Sequence, residues 1–232
     1  MTSWWLDEHD FAGPEHLDDA YVAGYERKAG YHPAIDIEAL RRHGLDRRST
    51  VLDIGAGPGT FAFAVAPECS RVIAADVSPA MTAVLRRRAT ASSTGNVSVV
   101  EAGFLSYDHS GPAVDFVFSR NALHQIPDFW KAIALARLAT VLAPGGVMRL
   151  LDLVYDFEPA DAPRHIEAWI AGAHHDAVTG YVAEEFATHV RTEHGTFRWL
   201  LEPMLEHTGF EILDVSSVRS IYATYTCRLR GA

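Results

Sequence analysis

The chain has 232 residues, of which 48% are apolar, which is sufficient for one large packed domain. Its formal net charge of -10 disfavours a partner whose phosphates must be neutralised, so we expect no nucleic-acid ligand. No stretch approaches the roughly 20 uncharged apolar residues of a membrane helix, and residues 1–10 do not resemble a signal peptide. We therefore expect a cytoplasmic protein with no membrane partner.

The first 47 residues predict a helical cover over the rest of the domain. Residues 18–43 show the spacing of an amphipathic helix, with Tyr21 and Tyr25 on one side. Tyr31-His32-Pro33 interrupts that pattern, because the residue before a proline is biased away from helical geometry. We expect two helices rather than one.

Residues 51–60 are the most informative stretch of the chain. Val51 to Ile54 suit a strand that is covered on both faces, and the strand pattern ends in Gly55, Gly57 and Gly59. Glycines at this spacing let the backbone turn sharply and approach a ligand closely. The pattern G-x-G-x-G differs from the G-x-G-x-x-G of dinucleotide sites, and no G-K-[ST] follows, which disfavours a nucleoside triphosphate.

A second apolar run, residues 71–76, ends in the carboxylate of Asp76. An acid at such a strand end can accept hydrogen bonds from both hydroxyl groups of a ribose, so the ligand is expected to carry one. Further elements then alternate, which predicts a parallel sheet with helices on both faces. They are helix 59–66, helix 79–90, strand 97–100, strand 114–119, helix 128–142 and strand 146–154.

Residues 155–196 break this alternation and predict a helical insert. Pro159 and Pro163 interrupt the chain, and helical spacing follows from Ile166 to Ala173 and again over 182–190. Because open α/β sheets bind ligands beyond the carboxyl ends of their strands, the insert and the cover are expected to form the substrate roof. The remaining elements are a helix over 197–208 and two runs, 210–218 and 221–229, joined by a tight polar turn.

Four motifs in this order resemble the class I S-adenosylmethionine-dependent methyltransferases over roughly residues 48–155. The motifs are the glycine turn with Asp53 before it, Asp76 with Val77-Ser78-Pro79-Ala80-Met81, strand 114–119 with Ala122-Leu123-His124 after it, and Leu142-Ala143-Pro144-Gly145-Gly146. The resemblance implies an α/β fold with a seven-stranded, mostly parallel, doubly wound sheet and an antiparallel last strand. One domain would comprise the cover (1–47), a cofactor-binding core (48–154), the insert (155–196) and a closing unit (197–232).

The same resemblance implies S-adenosyl-L-methionine as the cofactor and assigns its contacts by position. Asp76 would hold the ribose hydroxyls, and Val77 and Met81 would flank the adenine. In the family an acid often follows the third strand and contacts the adenine amino group, but this chain has Gly103 and Phe104 there, which are expected to form that wall instead. The remaining implied contacts are Asp53, Gly55, Ala56, Gly57, Gly59, Ser119 and Arg120.

Three side chains are candidates for the chemistry. His124 lies where the chain leaves the central strand, and its ordinary pKa would let it remove a proton from a nucleophile; the alternative is packing against the following helix. Tyr21 and Tyr25 would close over the sulfonium, or simply pack within their helix. Arg120 is expected to contact the cofactor through its backbone, with binding of an acidic substrate as the alternative. We expect no metal site, because His174 and His175 would point to different faces of a helix.

The sequence therefore predicts methyl transfer to an O, N or C nucleophile of a small-molecule metabolite. Two other functions stay open. One is a different use of the cofactor, by aminocarboxypropyl transfer or a cyclisation that releases methylthioadenosine; the other is a non-catalytic module that binds the cofactor. The adjacent bulky side chains of Trp4 and Trp5 need burial against the domain or a partner chain, so a homo-oligomer is compatible with the sequence.

Overall fold

The computed structural model describes residues 4–17, 19–177 and 180–231, in which strands and helices alternate. The strands are β1 (Thr50–Ile54), β2 (Arg71–Asp76), β3 (Val97–Glu101), β4 (Val114–Arg120), β5 (Leu142–Tyr155), β6 (Thr196–Phe197), β7 (Phe210–Val218) and β8 (Tyr222–Leu229). The helices are α1 (Asp19–Ala29), α2 (Ala34–Arg42), α3 (Thr60–Val65), α4 (Pro79–Ala91), α5 (Asp128–Val141), α6 (Ala162–Ala171), α7 (Ala183–Thr192) and α8 (Arg198–His207).

The sheet has the strand order β3-β2-β1-β4-β5-β8-β7, and the two-residue β6 pairs with the end of β5. Strands β1 to β5 are parallel, whereas β8 runs antiparallel to both of its neighbours. The predicted mostly parallel sheet with an antiparallel last strand is thus confirmed. Strand order reverses between β1 and β4, and ligands of such sheets bind beyond the carboxyl ends of the strands at this reversal.

Side chains of the central strands alternate between two apolar layers. Leu52 and Ile54 point into the layer that α5 and α8 cover, and Val51 points into the layer that α2 and α3 cover. Both layers are buried, which explains why β1 reads as an apolar run rather than as an alternating pattern. Asp53 lies on the Val51 side of this strand and is only 2% exposed.

Strand β5 begins at Leu142, four residues before the predicted start of the strand at 146. Val114 pairs with Leu142 and Phe116 pairs with Val147, so the intervening residues form an irregularity between two paired segments. Gly145 takes a φ of 79° there. The proline-glycine turn therefore forms a bulge within β5 instead of preceding this strand. The reason is that pairing with β4 already starts before the turn.

The cover and the insert each contain two helices, as the sequence predicts. Helices α1 and α2 are separated by the expected interruption, and the insert contains α6 and α7. Trp169 of α6 stacks on Phe186 of α7 with 4.3 Å between ring centroids. Lys28 of α1 forms an ion pair with Glu185 of α7, so the cover and the insert are in direct contact.

The N-terminal tryptophans pack against the domain while leaving an exposed aromatic surface. Trp4 and Trp5 have ring centroids 5.6 and 5.3 Å from that of Trp130, yet they remain 69% and 40% exposed.

Within the described ranges, no helix has the length and apolar character needed to cross a membrane.

Candidate active site

The glycine turn after β1 is held in a form that only glycine adopts without strain. Gly55, Gly57 and Gly59 have φ values of 70°, 55° and 90°. A Cβ atom on Gly55 would lie 2.3 Å from the Cβ of Ala122, and one on Gly59 would lie 2.6 Å from the side chain of Leu85. The backbone of the turn is thus closely packed from behind, with its other side toward open space.

Asp76, at the end of β2, faces this turn. Its Oδ2 accepts a hydrogen bond from Gly57 N at 2.7 Å, and its Oδ1 accepts one from Ser78 N at 2.8 Å. Burial raises the pKa of Asp76, and the two backbone hydrogen bonds oppose that rise. The carboxylate is therefore fixed in orientation beside the turn and keeps free lone pairs for a further ligand.

Two cavities meet at the glycine turn. The larger, of about 640 Å³, lies on the Asp76 side, and the smaller, of about 430 Å³, lies on the Asp53 side. Tyr25, Gly55, Gly57 and Arg120 line both. The larger cavity is also lined by the predicted Val77, Met81, Gly103 and Phe104, and the smaller one by the predicted Ala56.

Four polar atoms near the turn are buried without a hydrogen-bond partner among the described residues: Asp53 Oδ2, Ser119 Oγ, Arg120 Nε and Asn121 Oδ1. Buried polar atoms are rarely unpaired in folded proteins. Burial, followed by the charge of Asp76, raises the pKa of Asp53 to about 8. Asp53, Arg120 and Asn121 line the cavities, so their unpaired atoms are available to a polar ligand at the turn.

Arg120 is held by a chain of contacts that the sequence did not reveal. Its guanidinium lies 4.2 Å from the ring centroid of Tyr31, and the Tyr31 hydroxyl donates to Asp36 Oδ2 at 2.8 Å. Asp36 Oδ1 accepts from Arg149 Nε at 2.9 Å, and Arg149 also donates to Thr226. This buried network connects α2 to the sheet and fixes the aromatic ring against which the guanidinium rests.

His124 does not line either cavity, and both of its ring nitrogens face carboxylates. Nδ1 lies 2.5 Å from Asp152 Oδ1, and Nε2 lies 3.2 Å from Glu193 Oε2. Burial alone would lower the pKa of His124, but the charges and hydrogen bonds of Asp152 and Glu193 raise it to about 10. Protonation of both ring nitrogens would leave no lone pair for a substrate proton, and the role of His124 as a base stays a prediction.

Glu193 connects this histidine to the insert and to the larger cavity. Its Oε1 accepts from Gln125 Nε2 at 3.2 Å and lies 2.5 Å from Nδ1 of His189 in α7. Burial would raise the pKa of Glu193, but the hydrogen bonds and charges of His124 and His189 hold it below its usual range. Gln125 itself lines the larger cavity, so its side chain connects the buried carboxylate of Glu193 to the site.

The two tyrosine candidates differ in what the structure describes. Tyr25 lines both cavities, and burial raises the pKa of its hydroxyl. The side chain of Tyr21 lies outside the described part of the chain.

In residues 4–17, 19–177 and 180–231, no cluster of three His, Cys, Asp or Glu side chains is arranged to hold a metal ion.

Glu8 is the main lining residue that sequence reasoning missed. It belongs to the N-terminal segment, yet only 5% of it is exposed and it lines the larger cavity beside Gly103 and Phe104. The signal in the sequence is weak, since an acid near a chain end usually lies at the surface. Its contacts are about a hundred residues away in the chain.

Comparison with known proteins gives a family match for the core. Residues 51–146 match the sequence family described as a methyltransferase domain. Similar solved structures include the cyclopropane synthase MmaA2 from Mycobacterium tuberculosis, with 14% identity over 97% of this chain and 100% of that one and a TM-score of 0.71. No curated protein matches the chain.

Two further solved structures share the fold at low identity. Magnesium protoporphyrin IX methyltransferase (ChlM) from Synechocystis, with bound S-adenosylmethionine, is 13% identical over 99% of this chain and 100% of that one, with a TM-score of 0.64. A methyltransferase from Aquifex aeolicus that depends on S-adenosylmethionine is 16% identical over 97% of this chain and 100% of that one, with a TM-score of 0.58.

Proposed function

We propose that this chain is a class I S-adenosylmethionine-dependent methyltransferase that methylates an O, N or C nucleophile of a small-molecule metabolite. The observation that carries the proposal is the pair of cavities that meet at the glycine turn. One side offers a carboxylate beside an apolar wall, and the other offers an acid and a guanidinium whose polar atoms lack partners.

The larger cavity suits the nucleoside end of the cofactor. Asp76 would accept the ribose hydroxyls with the lone pairs that its backbone contacts leave free. Val77, Met81 and Phe104 supply apolar surface for a flat base. Glycine at position 57 supports this placement, because its backbone can approach the sugar without a side chain between them.

The smaller cavity suits the amino-acid end. A zwitterion carries an ammonium and a carboxylate, and this cavity presents Asp53 and Arg120. Both have a buried polar atom without a partner, Oδ2 of Asp53 and Nε of Arg120. Filling the site would satisfy both atoms, since a buried carboxylate favours an ammonium and a guanidinium binds a carboxylate. This assigns the Arg120 side chain to the cofactor rather than to the substrate.

Bound S-adenosylmethionine supplies a methyl group that is already activated by its sulfonium. The protein must then orient the nucleophile and exclude water, which can supply much of the acceleration. Tyr25 lies where the two cavities meet, and its ring is suited to close over a positive charge there. We assign His124 to holding the loop after β4 in place. Its partner Asp152 contacts the same loop a second time, because Asp152 Oδ2 accepts from Leu123 N at 2.8 Å.

A small acceptor is supported by charge and by the covered site. The net charge of -10 disfavours a nucleic-acid acceptor. The cover and the insert contact one another through Lys28 and Glu185 near the cofactor cavities, which favours an acceptor that can be enclosed.

The test is a methyl-transfer assay with methyl-labelled S-adenosylmethionine and a set of small-molecule acceptors, with the nucleoside product resolved by chromatography. Labelled acceptor and S-adenosylhomocysteine are the expected products. Methylthioadenosine as the product would instead indicate chemistry on the aminocarboxypropyl chain. Failure of the purified protein to bind either S-adenosylmethionine or S-adenosylhomocysteine in calorimetry would overturn the proposal.

A further inference from the structure

The N-terminal segment of residues 4–17, here called the strap, places one carboxylate inside the domain. Glu8 begins a short 3-10 helix, Glu8–Phe11, whose first turn is capped by Asp7 Oδ1 accepting from His9 N at 3.1 Å. The side chain of Glu8 turns inward from this helix and is 5% exposed. Burial of a carboxylate carries a large desolvation cost, so its partners define what the position is built to do.

Three hydrogen bonds converge on one oxygen of that carboxylate. Oε2 accepts from Leu105 N at 2.8 Å, from Ser106 N at 2.9 Å and from Ser106 Oγ at 2.9 Å. A Cβ atom on Gly103 would lie 2.6 Å from the other oxygen, Oε1, so Glu8 occupies space that the glycine leaves open. The orientation of the carboxylate is fixed by Oε2, and Oε1 keeps lone pairs for a donor in the cavity.

The acid that ends β3, Glu101, does not line this cavity. Glu101, the last residue of β3, accepts from Thr82 Oγ1 at 3.0 Å and from Arg86 at 3.2 Å through its Oε2, on the side of α4. Glu8, in contrast, lines the cavity together with Val77, Met81 and Phe104. Among the described lining residues of this cavity the acids are Asp76, from the core, and Glu8, which the strap supplies beside Gly103 and Phe104.

Resting on the proposed function, we propose that Oε1 of Glu8 accepts a hydrogen bond from the exocyclic amino group of the cofactor's adenine, so that the strap selects the base. An ionised carboxylate only accepts hydrogen bonds, so an amino group at this position of the base is bound and a carbonyl is rejected. Burial raises the pKa of Glu8, and hydrogen bonds from Ser106, Leu105 and the backbone of Phe104 oppose the rise. A further donor from the ligand would add to that stabilisation of the charged form.

The Glu8→Gln substitution converts this acceptor into a donor without changing its size. The three donors on Oε2 require the amide oxygen at that place, which turns the amide NH2 group toward the cavity. An NH2 group opposes the adenine amino group but suits the carbonyl of hypoxanthine. The substitution should therefore shift preference from the adenosyl ligand to the inosyl ligand.

The experiment is calorimetric titration of S-adenosylhomocysteine and S-inosylhomocysteine into the wild-type protein, Glu8→Gln and the matched control Glu101→Gln. We expect the wild type and the control to prefer the adenosyl ligand by about 10-fold or more, from the cost of an unmatched hydrogen bond to a charged group. Glu8→Gln should lose about 10-fold or more in affinity for S-adenosylhomocysteine and should bind the two ligands within about threefold of one another or reverse their order.

An unchanged adenosyl preference in Glu8→Gln, or an equal loss in Glu101→Gln, would overturn the role of Glu8 while leaving the methyltransferase proposal intact. A wild-type protein that binds neither ligand would overturn both. A thermal unfolding curve for each variant separates loss of recognition from loss of folding. A folded Glu8→Gln whose affinity for S-inosylhomocysteine falls by as much as its affinity for S-adenosylhomocysteine also overturns the assignment.

Discussion

Nδ1 of His124 lies 2.5 Å from Oδ1 of Asp152, and the opposite ring nitrogen of the same histidine lies 3.2 Å from Glu193. The three side chains come from the loop after β4, from β5 and from the end of the insert. All are buried. Two carboxylates facing one histidine favour its protonated form, and the contacts link the insert to the loop that lines the cofactor cavity.

The charge on His124 should persist well above neutral pH. Its pKa is raised to about 10, so nitrogen NMR of the histidine side chains should show an imidazolium signature for His124 throughout pH 6 to 9. An exposed histidine such as His207 serves as the control signal. A neutral His124 at pH 8 would contradict the prediction.

The same shift has a defined sign for stability. The folded pKa of about 10 exceeds the unfolded value of about 6.5, so the contribution of His124 is fully present below pH 6.5 and is lost as the pH rises toward 10. Replacement by asparagine removes the charged partner that two buried carboxylates share and should cost about 3–5 kcal/mol of unfolding free energy near pH 6.5. Denaturant unfolding of the wild type, His124→Asn and His207→Asn from pH 6 to 9 measures this loss of unfolding free energy. An equal loss in both variants that does not change with pH would contradict the prediction.

Glu193 is expected to keep the insert in place. The Glu193→Gln substitution removes the charge that faces both His124 and His189, so amide hydrogen exchange across α7 should speed up by about 10-fold or more. The matched control is Glu184→Gln, whose side chain is exposed and contacts only the neighbouring turn through Arg191. Exchange in α7 that is the same in both variants would show that the insert is held by its aromatic contacts instead.

Sequence patterns located the sheet and the glycine turn because those signals are local. Asp76 follows its strand directly, and the positive φ at Gly55 is a property of one residue. Glu8 and the partners of His124 were missed because their contacts span long distances in the chain: Glu8 meets Leu105, and His124 meets Asp152 and Glu193. The spacing of residues along the chain does not indicate such pairs. They form only when the strap, the insert and the sheet pack together.

Cofactor binding should release a proton at neutral pH through Asp53. Burial and the charge of Asp76 raise the pKa of Asp53 to about 8, so the free protein holds this group mainly protonated at pH 7. The ammonium of the ligand favours the carboxylate, so binding should release up to about one proton, and affinity should rise as the pH increases toward 8. Titration of S-adenosylhomocysteine in buffers of different ionisation enthalpy measures this release.

The control for that experiment is Asp115→Asn, at the opposite end of the sheet, where Asp115 accepts from Thr50 N. Asp53→Asn should abolish the proton release, and the control should retain it. Release of the same size in both variants would assign the proton to another group.

Substitutions of Arg120 and Asp76 should distinguish binding of the amino-acid end of the cofactor from binding of its nucleoside end. Arg120→Met removes the guanidinium that lies against Tyr31 in the smaller cavity, so S-adenosylhomocysteine should bind about 10- to 100-fold more weakly. Methylthioadenosine lacks the amino-acid end, so its affinity should stay within about twofold of the wild-type value. Asp76→Asn acts on the ribose, which both ligands share, and should weaken both. Calorimetry of the two ligands with the two variants gives four affinities, and an equal loss of both ligands in Arg120→Met would mean that this side chain acts on the whole site rather than on the amino-acid end.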